Sequence, residues 1–123
     1  MITSQTGRNF FTACNVASTG YIYTSAGASG ANDGWITSKS DYTILAYCCA
    51  TLSASSLTFR VEGRWADYNR PVEIYVASVN TINDIDQVLT LTEKLKEIRV
   101  GVKVNNTATP NIFYAGMLNS EVK

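Results

Sequence analysis

Ile98-Arg99-Val100-Gly101-Val102-Lys103-Val104-Asn105 is the stretch on which the fold turns. Ile98, Val100, Val102 and Val104 alternate with Arg99, Gly101, Lys103 and Asn105, and a repeat of two describes a half-buried strand that no amphipathic helix continues. Just upstream, Leu91-Thr92-Glu93-Lys94-Leu95-Lys96-Glu97-Ile98 has the strongest helix propensity in the chain. The alternation beside it overrules that propensity. The reading is a strand over 88–91, a turn over 92–94 and the next strand over 96–105.

Working outward, Leu57, Phe59, Val61 and Gly63 fall on one side of a period-two segment, with Thr58, Arg60, Glu62 and Arg64 on the other. Arg60 and Glu62 are expected to face water with cross-strand partners. Residues 65–70 read as a loop, and 71–79 as a strand with Pro71 in its first position, where a missing N–H is tolerated. Residues 112–118 make a last strand. The nearly continuous apolar run 42–51 reads as a central strand covered on both faces. Tyr21-Ile22-Tyr23-Thr24 reads as a short extended segment, 25–34 as a small-residue loop, and 35–37 as another strand start.

Seven or eight short strands without a three-turn helix indicate an all-β chain: an antiparallel β-sandwich, jelly-roll-like, with an extended N-terminal arm. The expected division is an arm over 1–12 and a single β-sandwich domain over 13–123. The arm ends in Phe10-Phe11, which would be costly to leave in water.

Composition narrows the chemistry. The 123 residues are 46% hydrophobic and 16% charged, enough for one domain with a core of its own. Ten Lys+Arg balance ten Asp+Glu with no basic cluster, so a nucleic-acid partner is not expected. No apolar run approaches the ~20 residues that span a bilayer, and the start lacks a signal-peptide pattern, so no membrane partner is expected and synthesis is placed in a cytoplasm. Only four charged residues precede residue 51. Histidine is absent, which removes the usual imidazole base and the commonest metal ligand. Cys14, Cys48 and Cys49 offer neither a disulfide framework nor a metal knuckle, and are expected to be reduced and buried.

Other constellations give little. Glu62, Asp67 and Glu73 surround one expected turn, but Glu62 shares its face with Arg60 and Arg64, so charge pairing explains it better than glycosidase chemistry. Asn80, Asn83, Asp84 and Asp86 lack the Gly-centred loop and closing Glu of a calcium-binding hand, and Asp84 reads as a cap. Gly27, Gly30 and Gly34 lack the Lys-Ser/Thr of a phosphate loop. No catalytic residue, metal or cofactor is expected. Trp35, Tyr42, Trp65, Tyr68 and Tyr75 could offer a flat face to a sugar, Tyr68 best of all, although single aromatics on sandwich strands are more often core.

Four segments carry a resemblance: Ser56-Leu57-Thr58-Phe59-Arg60-Val61-Glu62-Gly63-Arg64-Trp65, Lys96-Glu97-Ile98-Arg99-Val100-Gly101-Val102-Lys103-Val104-Asn105-Asn106, Ala108-Thr109-Pro110-Asn111 and Phe113-Tyr114-Ala115-Gly116. Across 42–118 the chain resembles small β-sandwich or jelly-roll virion proteins of tailed bacteriophages, the capsid decoration (cement) and head-fibre class. The resemblance implies a non-enzymatic homo-oligomer, a trimer favoured over a dimer. It would sit on the outside of a capsid, bind the major capsid protein and stabilise the shell by bridging neighbouring subunits. On that reading Arg8, Phe10 and Phe11 form the attachment arm, with the rings as anchors and Arg8 as pairing donor. The alternative expectation is a receptor- or carbohydrate-binding module of a tail fibre, using Trp35, Trp65, Tyr68 and Asn69.

Overall fold

The computed structural model of the chain describes residues 2–38, 43–65, 67–93 and 95–122; for 2–8, 84 and 118–122 it describes the backbone alone. Eight strands run β1 (Ile2–Asn15), β2 (Ile36–Thr37), β3 (Thr43–Leu52), β4 (Leu57–Trp65), β5 (Tyr68–Val79), β6 (Asn83–Leu91), β7 (Glu97–Val104) and β8 (Asn111–Val122), with no helix among the described residues. They form two antiparallel sheets, sheet I in the order β1-β8-β3-β6 and sheet II in the order β2-β7-β4-β5. Strands that succeed one another in sequence mostly switch sheets, which is the winding of a jelly roll and matches the expected architecture.

The core lies between the sheets. Phe113 from sheet I meets Phe59 from sheet II with ring centroids 5.9 Å apart, and Phe11 and Tyr47 add rings at 5.6 and 4.3 Å. Ile98, Val100, Val102 and Val104 are all buried, as the alternation required. Asn111 is a polar staple at one end, fully buried. Its Oδ1 accepts from the amides of Ser53 and Ala54, both at 2.9 Å, and its Nδ2 donates to the carbonyls of Val16 and Ala108.

Several expectations change. Of the arm expected over 1–12, residues 2–12 belong to the fourteen-residue strand β1, an edge strand paired to β8, and Met1 lies outside the described residues. Phe10 and Phe11 both lie in the core, at 7% and 2% exposure. A strict period of two would turn one of them outward. The register instead shifts between Asn9 and Phe11, so a bulge lets adjacent rings point the same way. The extended segment at 21–24 is a single bridge, Ile22 to Val102. The 65–70 loop shrinks to a tight turn, because Tyr68, Asn69 and Arg70 already belong to β5. Pro71 therefore sits inside a strand, tolerated because β5 is an edge and its register with β4 shifts there. The central strand expected over 42–51 is β3, between β8 and β6, but it is not covered on both faces: Ile44 and Ala46 are only partly buried on its outer side; Tyr42 lies outside the described residues.

Candidate functional site

Two outer faces remain once the core is closed, and they differ in kind. On sheet II, the side of β4 and β7 that should meet water is covered by residues 18–35. Glu62, expected to be solvated, is buried. It accepts from Tyr23 Oη at 2.9 Å and from Arg99 Nε and Nη2 at 3.1 and 2.9 Å, and it pairs with Arg60 Nε at 2.8 Å. Arg60 also donates a short hydrogen bond to the Tyr23 hydroxyl. Desolvation opposes the Arg60 charge, yet Tyr23 and Glu62 together raise its pKa above the ordinary guanidinium value. Arg64 pairs with Glu97 at 3.4 Å.

The same cations stack on rings. Lys103 and Arg60 lie over Tyr21 at 4.7 and 4.0 Å, Arg99 over Tyr23 and Trp35 at 3.6 and 4.5 Å, and Arg64 over Trp35 at 3.9 Å. Cations and aromatics thus alternate in a ladder across β4 and β7. Gly101 makes room for it: a Cβ there would lie 2.5 Å from Tyr23 Cε1 and 3.3 Å from Tyr21 Cδ1. The sequence reading missed Tyr21, Tyr23 and Arg99. A glycine amid β-branched residues was the available signal, since it marks a close approach to the strand.

No described residue covers the outer face of sheet I. Ile44 and Ala46 alternate with buried Thr43 and Leu45, and Ala46 stands between Gly116 of β8 and Val88 of β6. Val88 is 68% exposed. An open groove of about 410 Å3 runs here, lined by Asn9, Thr12, Ile44, Ala46, Tyr114 and Gly116 among others, with Asp86 the one charged residue of its lining among the described residues.

The expected site residues do not converge. Phe10 and Phe11 are committed to the core; Arg8 stands opposite Met117 in β1, its side chain outside the described part. Trp65 packs against the core and Trp35 is held by two arginines, which leaves Tyr68, paired with Trp65 across the hairpin, and Asn69 exposed. No four-residue sugar platform forms. Glu62 and Glu73 face each other across β4 and β5 with Arg60 pairing with both, while Asp67 sits in the exposed turn. Asn83 and Asp86 lie in β6, where Asn83 Oδ1 accepts from the Ile85 amide; the Asp84 side chain lies outside the described part. The three cysteines are buried.

Fold and faces together define an antiparallel jelly-roll domain with one covered and one uncovered sheet. No protein-family model matches the chain, and no curated protein does. Among solved structures it is similar to the globular domain of zebrafish complement 1qA protein, with a TM-score of 0.49 and 14% identity over 97% of this chain and 96% of that one. That likeness concerns the fold alone.

Proposed function

We propose that this chain is a non-catalytic structural protein that works by association. Copies pack through the bare face of sheet I, and the homo-oligomer, a trimer, decorates the outside of a phage capsid and bridges its subunits. The observation that carries the self-association is the uncovered groove and its chemistry. Its described lining holds no Lys or Arg and one Asp, so a strongly charged partner finds little to pair with, whereas a second neutral copy meets it without repulsion.

The capsid as the particle served, with a location on the virion after synthesis in a bacterial cytoplasm, rests on the resemblance of residues 42–118. With Phe10 and Phe11 in the core, attachment passes to side chains that remain outside, among them Ile82 and Ile85 at 60% and 75% exposure.

The first test is the mass of the purified chain by sedimentation equilibrium. A multiple of 13.4 kDa that Val88→Asp with Ile44→Glu reduces to the monomer is expected. A wild-type monomer at tens of micromolar would overturn the self-association. The second test is cosedimentation with assembled shells and with free capsid protein. Saturable binding to shells alone supports the capsid assignment, and absence of binding removes it.

A further inference from the structure

Residues 23–35 cross the outer face of sheet II without a backbone hydrogen bond to it among the described residues; their own bonds are internal, such as Tyr23 N to Ala28 O and Asp33 N to Gly30 O. Backbone ties exist only beyond the two ends of the segment. Ile22 exchanges two hydrogen bonds with Val102, each 3.0 Å, and β2 pairs Ile36 with Ile98 and Thr37 with Glu97.

What holds the middle is largely one side chain. Arg99 Nη1 donates to the carbonyls of Gly30, Ala31 and Asp33 at 3.0, 3.2 and 3.1 Å, while its other nitrogens grip Glu62. Tyr23 and Trp35 stack on the same guanidinium. Most of the segment is exposed, including Ser25, Ala26, Ser29, Ala31 and Asn32, so its apolar burial is confined to Tyr23 and part of Trp35 at its two ends. Gly27 and Gly34 take φ of 87° and 80°, a backbone other residues resist.

We propose that residues 23–35 are a strap that opens and closes as one unit, hinged at the Ile22–Val102 bridge and at β2 and latched by Arg99. Closed, the strap hides Glu62 and fills the ladder with rings. Open, it exposes Glu62 and the guanidiniums of Arg64 and Arg99 to water, while Tyr21, outside the strap, stays over Arg60. Segments with exposed hydrogen bonds and few apolar contacts are the ones that unfold locally ahead of the rest. A planar fork is required for the latch, because only a guanidinium can grip a carboxylate and three carbonyls at once.

Hydrogen exchange on the intact chain at constant pH tests this. The amides of Gly27, Ala28, Gly30 and Asp33 should exchange well before those of β4 and β7, at rates insensitive to low denaturant. Arg99→Lys should speed the strap amides about tenfold or more and leave the strand amides protected. If Arg99→Lys does not fold, Tyr23→Phe removes only the hydroxyl that reaches Glu62 and Arg60, and should give the same selective effect by a few-fold. Strap amides that exchange only with global unfolding, or variants that speed strap and strands alike, would overturn the proposal.

Discussion

Asn111 shows how much one buried amide can hold. Its side chain serves backbone groups from the β3–β4 turn, the segment after β1 and the loop before β8, three pieces far apart in sequence. Asn111→Ala would strand buried donors and acceptors, and a loss of about 2–4 kcal/mol by urea denaturation is expected. Gly101→Ala acts by overpacking: the added methyl meets the Tyr23 ring, and a loss of about 1–3 kcal/mol with a changed near-ultraviolet tyrosine signal is expected. Burial pushes the Cys14 and Cys49 thiols and the Tyr21 and Tyr47 hydroxyls up. Each therefore holds its proton more tightly folded than unfolded. Their contribution is complete below the unfolded values, about 8.5 for Cys and 10 for Tyr, and declines as pH rises past them. Urea midpoints level between pH 7 and 8 and lower at pH 10 are expected; a rise over that interval would contradict the assignment.

Among the elements, the turn between β6 and β7 shows how tertiary packing overrides local preference. Leu91 to Ile98 favours helix by composition, yet Leu95 is buried against Gly63 of β4, where a Cβ would lie 2.7 Å from Leu95 Cδ2. Leu95→Ala should cost about 2–4 kcal/mol in urea denaturation without raising helical circular dichroism. The strands themselves were legible wherever one side is apolar and the other polar, as in β4 and β7. Period two identifies the sides of a strand, but it does not say what covers them. Arg60 and Glu62 looked solvated because the cover of their face comes from Tyr21, Tyr23 and Trp35, distant in sequence and placed by a glycine-rich loop with no periodicity. Phe10 and Phe11 misled for a related reason: a bulge breaks the period, so two adjacent rings read as an arm and fold as core.

For the whole molecule, charge divides between the two faces. Arg60, Glu62, Arg64, Arg99 and Lys103 all serve sheet II, whereas among the described residues the groove on sheet I has Asp86 as its one charge. Association through sheet I should therefore depend little on ionic strength. Sedimentation at low and at molar salt should give similar dissociation constants, and a steep weakening with salt would point to a charged interface instead. The jelly-roll class was legible from strand count and turn spacing, while the contrast between covered and bare faces emerged only from the arrangement of the strands.

The pairing of β1 with β8 sets a timetable for assembly. Sheet I has β8 as the seam between β1 and β3, so β1 must wait unpartnered until β8 has been made. Sheet II can zip from β4, β5 and β7 beforehand. Late closure of so distant a pair predicts slow folding, on the millisecond-to-second scale, with amide protection appearing in β4 and β7 before β1. During synthesis on the ribosome, the emergence of β8 governs when β1 finds its place.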